Sequence, residues 1–273
     1  MKLGICTIQR NRGKWLSEWV VFHHLVGFTN FYIYLHKCDD NSKQVVMNLK
    51  KHFNIQCFEI SSDTVRPQLA AYQHAYQEFG HEIDWMAFID GDEFLHPSSE
   101  NKVTEVLEHY RYKKISALGV YWQCFGSGGH VEDPNGLIIE DYQYRANLDF
   151  LPNRHIKSIV KGGQGQYCLS AQNSHLFHTV YGTFDEKMRV IDKGWMKELE
   201  PSYEHLRINH YVCQSLDYFK NFKQNSGAAD AGADHIRQDS WWHEHDRNEE
   251  KEDEILRYAP QVNELLKNIS REK

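Results

Sequence analysis

The sequence predicts an α/β protein with a mostly parallel central sheet flanked by helices, and three observations carry this prediction. Short apolar runs alternate with segments whose apolar residues recur at helical spacing, which is typical of βα units. The run at residues 85–89 (WMAFI) is apolar throughout, as expected of a strand buried on both faces. With 273 residues, of which 41% are hydrophobic, the chain is long and apolar enough to bury a sizeable core.

The elements of the first half follow in a regular order. Residues 3–8 predict the first strand, and apolar residues at helical spacing from position 15 to 26 predict the first helix, with Gly27 at its C-terminal cap. Gly80 marks the end of the third helix in the same way. The remaining segments predicted by this alternation are strands at 31–35, 55–60, 85–89 and 115–122, and helices at 45–53, 69–79 and 103–110.

The pattern becomes less regular after residue 122. A glycine-rich segment at 125–130 opens a turn-rich region that extends to about residue 205, and long loops of this kind are functional or flexible. Helical periodicity returns at 255–269, where Pro260 interrupts it. Because neither an internal repeat nor a low-complexity linker separates the halves, the sequence predicts one domain of residues 1–273, with parts 1–122 and 123–273.

Composition and charge exclude several classes of protein. The formal net charge is −7 and no stripe of Lys and Arg is present, so a nucleic-acid partner is not expected. The least polar stretch, 20–35, contains His23 and His24 and is shorter than the ~20 apolar residues of a spanning helix. A signal peptide is not apparent, and the six cysteines form no CxxC pair. We therefore expect a cytoplasmic protein without a transmembrane segment, able to associate peripherally with the inner face of the membrane.

Asp90 and Asp92 are the first candidates for chemistry. Both offer oxygen ligands to a hard divalent cation, and Gly91 between them allows the backbone to bend tightly. About one such pair is expected by chance in a chain of this composition, so spacing alone is a weak signal. The position adds information, because ligands bind at the carboxyl ends of strands in open α/β sheets. A solvated turn or a helix cap is the alternative interpretation.

The segment at 85–95 (WMAFIDGDEFL) resembles the Asp-x-Asp segment of GT-A-fold glycosyltransferases, specifically glycosyltransferase family 92 and its bacterial family 2-like relatives. Further segments resemble this family in the same order, and together with the first they span about residues 3–260. They are Glu18-Trp19 with His23 and Gly27-Phe28, then 31–34 (FYIY), 125–130 (FGSGGH), 157–160 (KSIV) and 208–211 (INHY) with Ser215 and Phe219.

The resemblance implies a GT-A-like fold in which 1–122 bind a nucleotide sugar and 123–273 form an irregular acceptor-binding half with C-terminal helices. It implies a metal-dependent, inverting reaction that transfers a sugar from a UDP-sugar to a hydroxyl of a surface polysaccharide or lipid-linked glycan. The sugar that the resemblance suggests is galactose. Two other functions remain open: a non-catalytic protein that binds glycans or nucleotides, and a metal-dependent hydrolase or nucleotidyltransferase acting on nucleotide sugars.

The metal expected from this resemblance is Mn²⁺ or Mg²⁺, placed across the two phosphates of the donor. Asp90 and Asp92 would hold it, and His210 resembles the late histidine that completes the metal shell in such folds. An imidazole ligand favours Mn²⁺ over Mg²⁺. The alternative for His210 is a buried histidine that is hydrogen-bonded near Tyr211.

The resemblance also assigns residues to the donor nucleotide. Lys157 and either Arg10 or Arg12 are the cations expected to hold the diphosphate, next to Asp90 and Gly91. The positions expected to contact the base and ribose are Thr7 and Arg66.

An inverting displacement also needs a base that takes the acceptor proton. His130, at the end of the glycine-rich segment, and Asp246 are the two candidates.

Trp122 and the Trp241-Trp242 pair can stack on sugars or pack in the core. His243 and His245 would share a face only on a strand, and no third ligand at a recognised spacing accompanies them, so a zinc hydrolase is not expected.

Overall fold

Strands and helices alternate through the first half of the chain, as the sequence predicts. The computed structural model describes residues 1–165, 167–226, 230 and 236–271. The strands are β1 Leu3–Gln9, β2 Asn30–His36, β3 Asn54–Ile60, β4 Trp85–Phe88, β5 Glu93–Pro97, β6 Ala117–Cys124, β7 Tyr144–Arg145, β8 Ile156–Lys161, β9 Cys168–Ala171, β10 Phe177–Thr179, β11 Thr183–Phe184, β12 Val190–Ile191, β13 Leu206–His210 and β14 Glu250–Lys251. The α-helices are α1 Leu16–Leu25, α2 Ser42–Leu49, α3 Pro67–Phe79, α4 Val103–Glu108, α5 Ile138–Asp141, α6 Leu216–Tyr218, α7 Gln224–Ser226, α8 Asp239–His245 and α9 Ala259–Arg271.

The central sheet has the strand order β12-β11-β6-β8-β4-β1-β2-β3. Strands β1 to β4 are mutually parallel, whereas β8 runs antiparallel to both β4 and β6. β13 pairs in parallel with the end of β6 and antiparallel with β5. The predicted α/β class is confirmed. β1 has β2 on one side and β4 on the other, so the order of the strands reverses between β1 and β4. Such a switch point opens a crevice at the carboxyl ends of the strands.

Helices cover both faces of this sheet. On β2, Phe31 and Ile33 belong to the core cluster that includes side chains of α1, α2 and α9, while Tyr32 belongs to the cluster on the opposite face, beside α3. Alternate residues of a strand point to opposite faces, so a sheet covered twice needs an apolar residue at nearly every position. This requirement explains the continuous apolar run at 85–89.

Three buried strands do not follow from the hydrophobic pattern of the sequence. β5, β8 and β13 are buried along their whole length although each carries polar side chains, among them Lys157 in β8 and His210 in β13. Such residues are stable in a core only where specific partners satisfy them, and a local pattern does not reveal partners distant in sequence.

Pro260 occupies a different place from the one predicted. It is the second residue of α9, which follows a 3₁₀ turn at Glu254–Tyr258. Proline is tolerated in the first turn of a helix because its missing N–H would have no intrahelical partner there. Pro260 therefore starts the last helix and does not interrupt it. No helix in the described parts of the chain has the length and apolarity to span a bilayer.

Candidate active site

A cavity of about 420 Å³ lies at the switch point between β1 and β4. Cavities that bind small molecules and cofactors usually measure about 300–1,000 Å³, so the size suits a ligand of that class. Its lining combines carboxylates and cations with imidazole and indole rings. The polar lining residues used below are Arg10, Arg12, Gln68, Asp90, Asp92, His155, His175, His210, Lys223, Arg237 and His245.

The turn after β4 has no room for a side chain at its centre. A Cβ atom on Gly91 would collide with the amide of Gln9 at the end of β1. The Gly91 carbonyl oxygen accepts a hydrogen bond of 2.9 Å from Arg12 Nη2. Gly91 thus lets β1 and the Asp-x-Asp turn approach closely, and the two aspartates on either side of it face the cavity.

Asp90 is held on both of its carboxylate oxygens. Lys157 Nζ lies 2.8 Å from Oδ2, and Gln68 Nε2 donates to Oδ1 at 2.6 Å. Lys157 is 1% exposed and also lies 3.8 Å from the buried carboxylate of Glu93. Burial raises the pKa of Asp90, but the Lys157 ammonium outweighs this effect and keeps the pKa below its ordinary value. Asp90 is therefore an ionised group in a fixed orientation.

Asp92 lies beside a second lysine and a histidine. Lys223 Nζ lies 2.7 Å from Asp92 Oδ2, and His210 Nε2 lies 3.7 Å from Oδ1. β13 brings His210 to this place by pairing with β5, where His210 lies opposite Glu93. Burial acts to raise the pKa of Asp92, but Lys223 and His210 hold that pKa well below its ordinary value. Burial lowers the pKa of His210, which keeps its imidazole neutral and able to bind a metal.

The geometry of Asp92 and His210 fits one divalent ion. Two ligand atoms that each lie about 2.1 Å from one ion are at most about 4.2 Å apart, and the measured separation is 3.7 Å. Among the described residues, no three His, Cys, Asp or Glu side chains are grouped closely enough to hold a metal. Two protein ligands suit a Mg²⁺-like cation that takes its remaining ligands from substrate phosphates and water. The predicted trio of ligands is therefore not assembled among the described residues. Each aspartate also lies within 2.8 Å of a lysine ammonium, Asp90 of Lys157 and Asp92 of Lys223, which a bound cation would have to displace or share.

The cations on the cavity differ from the predicted set. Arg12 and Arg10 line it as expected, but Lys157 does not, since its ammonium lies against Asp90 and Glu93. Two cations that the sequence analysis missed take its place: Lys223, beside Asp92, and Arg237, whose Nη1 donates to the Lys223 carbonyl oxygen at 2.9 Å. Both lie in the region where periodicity is weak, and the only local signal is the basic character of 220–223.

The two predicted base and ribose contacts lie outside the cavity. Thr7 is fully buried in β1, where its hydroxyl accepts a hydrogen bond of 2.8 Å from Gln9 Nε2. It therefore positions the Gln9 amide beneath Gly91. Arg66 is exposed and adopts a left-handed backbone conformation (φ 53°) just before α3. Gln68, two residues later, lines the cavity in its place and had not been predicted.

The two predicted bases also lie outside the cavity, and both stabilise the glycine-rich segment. His130 Nε2 donates to the carbonyl oxygen of Asp141 at 3.1 Å. Asp246 Oδ1 accepts hydrogen bonds from the Ser127 backbone N–H at 2.6 Å and from Asn248 Nδ2 at 2.9 Å. These contacts satisfy backbone and side-chain groups of the loop, so the geometry gives neither residue access to a ligand in the cavity.

Three further imidazole rings belong to the cavity wall. The Nδ1 atoms of His155, His175 and His245 each lie 2.8–2.9 Å from a backbone carbonyl oxygen, belonging to Pro152, Ile156 and Trp241 in turn. A carbonyl only accepts, so Nδ1 carries the proton in all three rings and Nε2 is a proton acceptor. Among the described residues, none of the three Nε2 atoms has a hydrogen-bond partner. The cavity therefore has three neutral basic nitrogens that the sequence analysis had not assigned to it.

Two of the three predicted tryptophans also line the cavity. Trp122 packs against His210, with ring centroids 4.2 Å apart, and lies parallel to His155. Trp241 lies parallel to His245 at 4.1 Å, whereas Trp242 is buried in the core. His243 is exposed on α8, and residues two positions apart on a helix point in different directions, so His243 does not share a face with His245.

A switch-point cavity with ionised aspartates, a neutral imidazole and several cations defines an α/β protein suited to hold a phosphorylated ligand. The chain belongs to glycosyltransferase family 92, whose family model matches residues 2–250. This match confirms the resemblance noted in the sequence.

Plant proteins of the family are similar to much of the chain. A family 92 protein of Ricinus communis is 30% identical over 225 residues, which cover 80% of this chain and 37% of the relative. One of Oryza sativa subsp. japonica is 28% identical over 220 residues, which cover 80% of this chain and 34% of the relative. The chain thus spans about a third of the length of these relatives.

Among solved structures, residues 1–349 of S. aureus TarS are similar over 59% of this chain and 47% of that chain, at 13% identity and a TM-score of 0.38. The same TarS fragment in complex with UDP-GlcNAc covers 59% and 45%, with the same identity and TM-score.

Proposed function

We propose that this chain is a metal-dependent, inverting glycosyltransferase that moves a sugar from a UDP-sugar to a hydroxyl group of an acceptor glycan. The observation that carries the proposal is the group of Asp92, His210 and Lys223 on one cavity, beside Arg12, at the switch point of the sheet. Membership of glycosyltransferase family 92 supports sugar transfer as the reaction.

The transfer step requires positive charge at the leaving group. As the bond between the anomeric carbon and the diphosphate breaks, negative charge accumulates on the phosphate oxygens. Lys223, Arg12 and Arg237 line the cavity and can donate charge-assisted hydrogen bonds to these oxygens. The Arg12 guanidinium is already oriented by Tyr218, to whose hydroxyl its Nη1 donates at 2.8 Å, so its orientation changes little during the reaction.

Asp92 and His210 are the residues that would hold a divalent cation. When bound, Mn²⁺ or Mg²⁺ acts as a Lewis acid that neutralises the diphosphate and orients it. The imidazole of His210 favours Mn²⁺. Asp90 adds negative charge nearby, and its pairing with Lys157 fixes the turn that presents Asp92.

Galactose is proposed as the transferred sugar, and a surface polysaccharide or a lipid-linked glycan as the acceptor, on the strength of the family resemblance. The test is a panel of UDP-sugars incubated with Mn²⁺, Mg²⁺ or EDTA, with and without oligosaccharide acceptors, followed by measurement of the nucleotide released. We expect UDP release that requires Mn²⁺ and is increased by an acceptor.

The products distinguish the other functions. UMP or pyrophosphate would identify a hydrolase or a nucleotidyltransferase, and binding of a UDP-sugar without turnover would identify a non-catalytic binding protein. NMR of the glycosylated product should show the anomeric configuration opposite to that of the donor. Retention of configuration would contradict the inverting mechanism.

A further inference from the structure

His245 is the cavity imidazole whose surroundings best suit a proton acceptor. Its Nδ1–H donates to the Trp241 carbonyl oxygen at 2.9 Å, and its ring lies parallel to the Trp241 indole with centroids 4.1 Å apart. These two contacts fix both the tautomer and the plane of the ring. The side chain is half-buried and lines the cavity, and its Nε2 has no hydrogen-bond partner among the described residues.

A row of contacts connects His245 to the phosphate end of the cavity. Lys223 Nζ lies 2.7 Å from Asp92 Oδ2 and 5.9 Å from the centroid of the Trp241 ring, against which His245 packs. Lys223 and His245 therefore approach the same indole, and both line the cavity. Deprotonation of an attacking hydroxyl requires a base within hydrogen-bonding distance of it, and His245 is the imidazole that a single shared ring connects to the cations of the cavity.

The other two imidazoles of the wall are less suited to this role. The His155 ring is covered by indoles, since it lies parallel to Trp122 at 4.8 Å and to Trp195 at 6.0 Å. Burial and the nearby Lys157 ammonium lower the pKa of His175 to about 3. A proton acceptor that weak contributes little general-base catalysis at neutral pH.

We infer that His245 is the general base of the transfer reaction, an assignment that rests on the proposed function. Nε2 of His245 takes the proton of the acceptor hydroxyl, and an electron pair of that oxygen forms the bond to the anomeric carbon. The bond between the anomeric carbon and the diphosphate oxygen breaks, and its electron pair leaves with UDP. The resulting imidazolium then returns its proton to solvent. Attack from the side opposite the diphosphate inverts the anomeric configuration.

The charges around His245 determine the expected pH profile. Glu244 precedes it on the same helix, and Lys223, His210 and His155 approach it from the segments packed against α8. Burial lowers the pKa of His245, and Lys223 adds to this effect, while Glu244 opposes it. The ring is therefore neutral and able to accept a proton at pH 7. Transfer should decline as the pH falls below the ordinary histidine range, where protonation of His210 contributes as well.

The test compares His245→Gln with His243→Gln, a matched change two residues away on the exposed side of the same helix. We expect His245→Gln to lower kcat for transfer by about 10²–10⁴-fold, with the dissociation constant for UDP within about twofold of the wild type. His243→Gln should retain wild-type transfer.

Chemical rescue separates a missing base from a damaged fold. Added imidazole should restore transfer to His245→Ala, because the truncated side chain leaves space beside Trp241 for a free base. Transfer by His245→Gln within about threefold of wild type, or a parallel loss of UDP binding, would each overturn the assignment. A wild-type chain that binds UDP but transfers no sugar would instead contradict the proposed function, and the base assignment with it.

Discussion

Lys157 Nζ lies 2.8 Å from Asp90 Oδ2, and this ion pair joins β8 to the turn after β4. The lysine is 1% exposed, so the charge expected to hold a donor phosphate instead fixes one of the two cavity aspartates. Glu93 lies 3.8 Å from the same ammonium. The buried ammonium thus balances the Asp90 carboxylate and keeps the Asp-x-Asp turn in one conformation, while burial and the two aspartates raise the pKa of Glu93 well above its ordinary value.

Lys157→Met should destabilise the fold, because it leaves the Asp90 carboxylate without its counter-charge. Breaking a buried pair costs about 3–5 kcal/mol, and the lower end applies since the Asp90 side chain is 34% exposed. Urea unfolding should show a loss of about 3 kcal/mol in the free energy of unfolding, part of which the double change Lys157→Met with Asp90→Asn recovers. A single variant as stable as wild type would contradict this account of the ion pair.

Asp92→Asn should remove most activity while leaving the fold intact. A neutral amide cannot balance the charge of a divalent cation, and loss of one such electrostatic contact lowers kcat by about 10²-fold or more. The measurements are Mn²⁺-dependent UDP release at saturating donor and circular dichroism of the unloaded protein. Asp63→Asn, at an exposed aspartate, is the control. Wild-type turnover by Asp92→Asn would reject the assigned role.

Gly91→Ala should weaken both stability and donor binding. The added Cβ would collide with the Gln9 amide, and forcing extra atoms into a packed site costs about 1–3 kcal/mol. The atoms with which this Cβ would collide belong to the Gln9 side chain. Adding Gln9→Ala to the Gly91→Ala variant should therefore restore much of the lost stability and donor binding. A double-mutant cycle of unfolding free energies measures this coupling. If the effects of the two changes on the free energy of unfolding were additive, the Gln9 side chain would not be what limits the size of residue 91.

Stability should decrease as the pH falls from about 6.5 toward 3, in part because of His23. Burial lowers the pKa of His23 to about 3, and its Nε2 accepts a hydrogen bond from the Leu95 backbone N–H at 3.2 Å. The unfolded chain takes up a proton below the ordinary histidine pKa, whereas the folded chain does not, so protons favour unfolding in this window.

The magnitude for one histidine is about 1.4 kcal/mol per pH unit below its ordinary pKa. His96, whose pKa burial also lowers to about 3, should contribute in the same way. Urea unfolding measures the difference in free energy of unfolding between wild type and His23→Gln. We expect this difference to be about 2 kcal/mol smaller at pH 5 than at pH 7.5. Parallel stability curves for the two proteins would exclude His23 as a source of the pH dependence.

Residue spacing located the Asp-x-Asp turn because that inference needed only local information. A continuous apolar run identified β4 as a central strand, and polar residues directly after it had to lie at its carboxyl end. Local sequence does not predict which cations pair with the two aspartates. Lys157 sits in a strand that reads as a mixture of apolar and basic residues, and nothing in that pattern indicates the distant carboxylate that neutralises it.

The base candidates show the same limit. His130 and Asp246 were selected for chemical type and position, but their hydrogen-bonding atoms are used by Asp141 and Ser127, which the fold brings to them. His245 stands out in the sequence only as a possible zinc ligand beside His243, because the pattern does not predict the helix at 239–245 that turns the two rings apart.

The sequence by itself determined the α/β class, the order of the first elements and the position of the aspartate pair, since hydrophobic periodicity and strand ends are encoded by neighbouring residues. Only the tertiary structure decided which cation neutralises each aspartate, that β13 carries His210 to Asp92, and that three histidines line one cavity wall. Each of these depends on the pairing of segments far apart in the chain, where burial makes an unmatched charge or hydrogen-bonding group unfavourable and so selects its partner.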